Sequence, residues 1–140
     1  MKTPDNIRQA VPLLWVSDMD NSLQFYVNGL GFKISDQWTP DGRMEWCWLQ
    51  SGGAALMLQE VRKDYREGWL AAGKPGHGVT IYFLCDDALA VYLDAVAKGL
   101  VVERPFVGNG MWVVGMSDPD GYRIAFESKT TAEEGTEYTA

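Results

Sequence analysis

Short apolar runs and amphipathic segments alternate along the first half of the chain. Residues 11–16 form a compact apolar run, which predicts a strand. Asp18, a favourable N-cap residue, follows that run. Apolar residues then recur at helical spacing, at Leu23, Tyr26, Val27 and Leu30. Three more strands are predicted, at residues 32–35, 44–49 and 54–60. The first half therefore has the order β-α-β-β-β.

The second half repeats this order. Residues 78–85 predict a strand, and Asp86 and Asp87 provide the helix cap. The helical stripe consists of Leu89, Tyr92, Leu93 and Val96. The last three strands are predicted at residues 100–106, 111–116 and 122–128. A single βαβββ module is too small to bury its own sheet, so we expect the two modules to share one core.

The repeat sets the expected domain organisation. One domain spans residues 1–140, with the first module at about 7–61 and the second at about 78–128. The polar segment 62–77, which contains Pro75 and several glycines, is interpreted as a linker with one helical turn around residues 69–72. The acidic tail, residues 129–140, is expected to fray.

Charge and cysteine content narrow the class of protein. The net charge of −7 argues against nucleic acid and anionic membrane surfaces as partners. Cys47 and Cys85 lie in apolar runs, which favours buried thiols in a reducing compartment. Residues 1–6 contain no apolar signal segment. Together these features predict a cytoplasmic protein.

Two motifs carry a resemblance to a known superfamily. Residues 11–18, 22–26 and 29–32 resemble the opening of the vicinal oxygen chelate superfamily, and residues 118–124 resemble its closing motif. The resemblance covers residues 7–128 and is closest in character to metal-free, bleomycin-resistance-like members. It implies an α+β fold of two tandem βαβββ modules, in which curved mixed β-sheets surround a groove. It also implies that two chains commonly complete each groove, and strand edges would favour such a homodimer.

The resemblance also bears on metal binding. Metal-dependent members of the superfamily take their ligands from four strand positions, which correspond here to Val11, Met57, Thr80 and Ala125. None of these side chains is a suitable ligand for a divalent metal. His77 is the only histidine and is expected in an exposed loop, so one chain cannot supply a two-histidine iron site. We therefore expect neither a metal nor another cofactor.

Tryptophan is unusually frequent, with six in 140 residues. Trp15 lies four residues after Val11 and therefore on the same strand face. Any single tryptophan could equally fill the core, but the set favours a pocket for a flat ligand. The expected ligand is a small planar organic molecule, neutral or cationic, because the chain is acidic. The predicted ligand-binding residues are Val11, Trp15, Trp46, Trp48, Met57, Thr80, Tyr82, Trp112, Ala125 and Glu127.

Three function classes remain open. The leading hypothesis is a non-catalytic protein that sequesters a planar antibiotic or toxic metabolite, with no catalytic residue assigned. The alternative is a glyoxalase-like lyase or isomerase, either metal-independent or with unusual ligands such as Glu127, Gln59 and His77. The third is an interaction module that kept the fold without the pocket.

Overall fold

The computed structural model describes residues 5–140. In the first half the elements are β1 (Leu13–Val16), α1 (Met19–Leu23), β2 (Lys33–Trp38), β3 (Trp46–Ser51) and β4 (Ala54–Glu60). A π-helical segment, Gln24–Gly29, continues α1, and a 3₁₀ turn, Pro40–Gly42, precedes β3. Helix α2 (Lys63–Ala71) links the halves. The second half contains β5 (Thr80–Leu84), α3 (Ala88–Ala97), β6 (Phe106–Gly108), β7 (Met111–Ser117) and β8 (Arg123–Lys129).

The strands form two four-stranded mixed sheets of identical topology. Sheet 1 has the order β1-β4-β3-β2, and sheet 2 has the order β5-β8-β7-β6. In each sheet the first pair is parallel and the other two pairs are antiparallel. The α+β architecture with two repeated modules is therefore confirmed.

Both predicted helix starts are capped by the expected residues. Asp18 accepts a hydrogen bond from the backbone N–H of Asn21 at 3.1 Å, and Asp87 accepts one from Ala90 at 3.0 Å. Each carboxylate satisfies an N–H group that has no partner inside the helix. Within residues 5–140, no helix is long and apolar enough to cross a membrane.

One hydrophobic core serves both sheets. In β1, Leu14 and Val16 are buried while Leu13 and Trp15 are exposed, as the alternation of side chains along a strand requires. A chain of aromatic rings crosses between the modules, with centroid distances of 6.2, 5.5 and 5.2 Å along Tyr26, Phe32, Phe83 and Phe126. The core therefore lies on one face of each sheet, and the opposite faces remain available for other contacts.

A buried hydrogen bond also joins the modules. The Tyr26 hydroxyl donates to Asp118 Oδ2 at 2.7 Å. Asp118 also accepts hydrogen bonds from the backbone N–H groups of Asp120 and Tyr122, at 3.0 and 2.9 Å. Burial raises the pKa of Asp118, and burial together with the Asp118 charge raises the pKa of Tyr26 well above 10.0. The closing motif thus has a structural role at the module junction.

Two local predictions were wrong. The predicted strand at residues 100–106 is irregular until Phe106, where β6 begins, and Pro105 supplies no N–H for a ladder. The single turn expected around residues 69–72 is instead the nine-residue helix α2. Gly73 follows that helix with a φ of +110°, a conformation that only glycine adopts readily.

The acidic tail is ordered, which contradicts the expected fraying. The N–H of Val107 donates to Thr136 O at 2.9 Å, and the N–H of Gly135 donates to Val107 O at 2.9 Å. The Tyr138 ring packs edge-on against Tyr92 with a centroid distance of 5.2 Å. The tail docks because it satisfies backbone groups along the outer edge of β6. This edge of sheet 2 is therefore already covered.

Candidate ligand-binding site

The face of sheet 1 that points away from the core carries four tryptophans. We call it the open face of sheet 1. Strand register places Trp15 opposite Gln59, Gln59 opposite Trp46, and Trp46 opposite Trp38. This aromatic row crosses all four strands. Directly opposed residues lie on the same face of a sheet, so the side chains form one surface.

A second row lies beside the aromatic row. Leu13 is opposite Met57, which is in turn opposite Trp48. Trp15 is 47% exposed and Trp38 is 56% exposed, whereas Trp46 and Trp48 are half-buried. On β2 the residue opposite Trp48 is Asp36, so the two rows present a broad, mainly aromatic surface with a carboxylate at one end, accessible from solvent in the single chain.

Hydrogen bonds orient the polar groups on this face. Gln59 Nε2 donates to Glu45 O at 3.0 Å, and Trp48 Nε1 donates to Gln50 Oε1 at 2.8 Å. The bond to Glu45 uses one of the two N–H donors of Gln59, so the side chain keeps one N–H donor and its carbonyl oxygen for a ligand. A ligand N–H or O–H placed between Trp15 and Trp46 could donate to that oxygen.

The open face of sheet 2 has different chemistry at equivalent positions. One row crosses the sheet in the order Leu84, Glu127, Val113 and Phe106. We call it the acidic row because Glu127 is its one charged residue. A neighbouring row contains Tyr82, Ala125 and Gly115. Tyr82 is 53% exposed and Leu84 is 72% exposed. The open faces therefore do not close over one another within one chain.

The residues at the superfamily's metal positions do not fit a metal. Met57 is paired with Leu13, and Ala125 is paired with Tyr82. Thr80 lies two residues before Tyr82, and Val11 lies two residues before Leu13 on the same strand path. These side chains offer only the hydroxyl groups of Thr80 and Tyr82 and the soft thioether of Met57, and none of them supplies the imidazole or carboxylate that the superfamily's divalent metals require. In the part of the chain that the structure describes, no group of three His, Cys, Asp or Glu residues could hold an ion.

Trp112 does not lie with the other predicted site residues. Its partner on β8 is Ser128, which is buried, whereas Ala125 and Glu127 pair with Gly115 and Val113. Trp112 is half-buried and packs against the core. The sequence contained a signal for this placement. Counting residues back from the turn at 118–121 gives the register of the β7–β8 hairpin and puts Trp112 on the core side.

The residues of the proposed lyase site are dispersed. Gln59 lies on sheet 1, Glu127 on sheet 2, and His77 in an exposed turn before β5. Glu60 is not a free carboxylate either, since it accepts hydrogen bonds from Arg43 and from the N–H of Met19, the latter at 2.7 Å. Within one chain, Gln59, Glu127 and His77 therefore do not come together as an acid–base group.

A cavity of about 520 Å³ adjoins the aromatic row. It is lined by Trp15, Val61, Arg62, Tyr65 and Trp69. Tyr65 and Trp69 were not predicted as lining residues, because the segment that forms α2 was interpreted as a linker. The spacing of Tyr65 and Trp69, four residues apart on one helical face, was the available signal.

The fold defines a class of protein built on two repeated βαβββ modules. A family model described as the glyoxalase/bleomycin resistance protein/dioxygenase superfamily matches residues 7–126. The chain belongs to that superfamily.

Solved structures with this fold include UcmS2, a bleomycin-binding protein and an antibiotic-binding protein. UcmS2 superposes with a TM-score of 0.72 at 16% identity and covers 89% of this chain and all of its own. A bleomycin-binding protein in complex with bleomycin gives a TM-score of 0.66 at 21% identity, with 89% and 100% coverage. TnmS3, an antibiotic-binding protein from Streptomyces sp. CB03234, gives 0.64 at 22%, with 90% and 100% coverage. No curated protein sequence matches the chain significantly.

Proposed function

We propose that this protein binds a small planar organic molecule, without covalent chemistry, on the open face of sheet 1. The observation that carries this proposal is the placement of four tryptophans on one accessible sheet face. Indole rings offer large rigid surfaces for stacking, and a buried aromatic contact contributes about 0.5–1.5 kcal/mol beyond area burial. A flat ligand fits such a surface better than a branched aliphatic one.

The ligand site would be completed by a second copy of the chain. Leu13, Trp15, Tyr82 and Leu84 are 40–72% exposed, and exposed apolar surface of this extent favours association. A two-fold arrangement would place the open face of sheet 2 from one protomer over the open face of sheet 1 from its partner. Ala125 and Gly115 would leave room for a ligand, and Glu127 would provide a negative charge. We therefore propose a homodimer and a neutral or cationic ring system.

Sequestration of an antibiotic or toxic metabolite is the physiological role we propose. Bleomycin-binding and other antibiotic-binding proteins share this fold, although their identity to this chain is too low to transfer a ligand. Binding by burial and stacking needs no catalytic group, and His77 lies in an exposed turn outside both open faces. The free thiols Cys47 and Cys85 support a reducing compartment such as the cytoplasm.

The test is a fluorescence titration of the wild type, Trp46→Ala and Trp112→Phe with bleomycin, phenazine and acridine. Trp46 lies in the aromatic row, and Trp112 lies on the core side of sheet 2. We expect quenching in the wild type and in Trp112→Phe. Affinity should fall at least about tenfold in Trp46→Ala, equivalent to ~1.4 kcal/mol. Equal affinity in all three proteins, or no binding of any planar compound, would contradict the proposal.

A further inference from the structure

Helix α2 is held beside Trp15 from both of its ends. At its start, the N–H of Val61 donates to Val16 O at 2.9 Å, which ties the entry into α2 to the end of β1. After the helix, Gly76 packs so closely on the Tyr122 ring that an added Cβ would lie 2.6 Å from it. The Tyr122 hydroxyl in turn donates to Trp15 O at 2.8 Å. These contacts anchor the segments on both sides of the helix near the aromatic row.

The side of α2 that faces Trp15 is aromatic and incompletely packed. No residue of α2 is buried, and Tyr65 remains 63% exposed. Tyr65 and Trp69 nevertheless line the same cavity as Trp15. Three aromatic side chains around an accessible space of about 520 Å³ suit a planar ring that enters between them.

Arg62 gives this cavity a positive charge. It is the charged residue among the five that line the cavity, and its Cζ atom lies 5.6 Å from the Tyr65 ring centroid. Its ion pair with Asp64, at 3.7 Å, is the longest of the five ion pairs within residues 5–140. The guanidinium therefore retains donors for another acceptor, and its planar geometry matches a carboxylate.

We propose that Trp15, Tyr65, Trp69 and Arg62 form a subsite for an aromatic ring that carries a carboxylate group. The ring lies between Trp15 and the aromatic face of α2, and the carboxylate pairs with Arg62. The inference rests on the proposed function, because Trp15 also belongs to the aromatic row. It adds that the neutral or cationic ring system carries a carboxylate substituent at this end, because the local charge of Arg62, and not the net charge of the chain, decides which substituent is accepted here.

Two probes of the same shape test this subsite. 2-Naphthoate and 2-naphthamide differ in charge and are titrated calorimetrically into the wild type, Arg62→Gln, Trp69→Ala and Leu70→Ala. Leu70 is the matched control, because it lies on α2, is 53% exposed and does not line the cavity. Circular dichroism checks that every variant is folded.

We expect the wild type to bind naphthoate about fivefold more tightly than naphthamide, the scale of one partly exposed charge pair. Arg62→Gln should abolish that preference, and Trp69→Ala should weaken both probes at least about tenfold through lost stacking and area. Leu70→Ala should match the wild type within about twofold.

The subsite is overturned if naphthoate is not preferred, if the preference survives in Arg62→Gln, or if Trp69→Ala behaves like Leu70→Ala. A parallel titration of acridine into the wild type, Trp46→Ala and Trp69→Ala distinguishes this failure from failure of the proposed function. Acridine binding that depends on Trp46 but not on Trp69 would leave the sheet 1 site intact and remove the α2 subsite. Absence of binding by all three probes would contradict both.

Discussion

The two sheets have the same strand order and pack on one core, but the side chains on their open faces differ in size and aromatic content. The residue opposite Gln59 on β1 is Trp15, and the residue opposite Glu127 on β5 is Leu84. On β3 and β7 the corresponding partners are Trp46 and Val113. The central row of sheet 1 thus carries three tryptophans, whereas the equivalent row of sheet 2 carries smaller side chains and the Glu127 carboxylate.

This contrast separates what the fold requires from what it leaves free. The core faces of both sheets must fill a common interior, so both carry apolar residues such as Leu58 and Phe126. The open faces have no such constraint within one chain. The four tryptophans on one of them are therefore not explained by core packing within the chain, which is why we propose that this face contacts another molecule.

The first prediction tests how much the hydrogen bond between the two modules contributes to the free energy of unfolding. Tyr26→Phe removes the hydrogen bond to Asp118 that joins the modules. Because that bond is buried and its acceptor is charged, the free energy of unfolding should fall by roughly 1.5–3 kcal/mol. Denaturant unfolding measures this loss. The control, Tyr92→Phe on α3, should cost less than about 0.5 kcal/mol. Equal small losses would mean that the junction does not couple the sheets.

The same residue predicts a loss of stability at alkaline pH. Tyr26 has a folded-state pKa well above its ordinary value of 10.0, so the unfolded chain ionises first as pH rises. Its contribution is fully present below pH 10.0 and is lost as pH rises through the folded-state pKa. The stability difference between wild type and Tyr26→Phe should therefore shrink above that pH. Unfolding curves at a series of alkaline pH values measure it, and a constant difference would refute the assignment.

The second comparison concerns the open face of sheet 2 as an interface. Leu84→Glu places a charge on that face, and the dimer dissociation constant should rise at least about tenfold, or ~1.4 kcal/mol. Val101→Glu is the control, because Val101 is 91% exposed and lies outside both sheets. Sedimentation velocity over a concentration series measures both variants. If Val101→Glu dissociates the dimer as strongly as Leu84→Glu, or if the wild type is monomeric, this interface is wrong.

A smaller effect is expected from the carboxylate of the acidic row. Glu127→Gln should weaken 10-methylacridinium about threefold, the scale of a partly screened charge pair. Acridine, which has the same ring system and is neutral at about pH 8, should bind both proteins equally. The affinities are compared by fluorescence at two salt concentrations. An equal loss for both compounds would assign Glu127 a packing role instead of an electrostatic one.

Much of the fold followed from local pattern. Asp18 and Asp87 were identified as helix caps because a carboxylate before an amphipathic segment satisfies free N–H groups. Period-two alternation placed Trp15 on the face away from Leu14 and Val16. The docking of the tail on β6 could not be found in this way, because it depends on an unpaired edge that exists only after the sheet has formed.

Hairpin register explains which of the predicted site residues share an open face. The two-residue turn at Gly52 and Gly53 places Trp46 opposite Gln59, which the sequence could have supplied by counting. The same count across the β7–β8 turn excludes Trp112 from the open face. The spacing of Tyr65 and Trp69 could have predicted a helix, but it could not have predicted where that helix lies. The position of Trp69 depends on contacts of Val61 and Gly76 with other elements.

The most direct test of the account compares Trp15→Ala with Leu84→Ala at equivalent positions of the two sheets. Both side chains are exposed, at 47% and 72%, so neither change should unfold the protein. Acridine affinity is measured by fluorescence titration. We expect a loss of at least about tenfold for Trp15→Ala and a smaller loss for Leu84→Ala, because Leu84 belongs to the proposed dimer contact and not to the aromatic row. Equal affinities for the two variants, or a larger loss for Leu84→Ala, would contradict a stacking site on sheet 1.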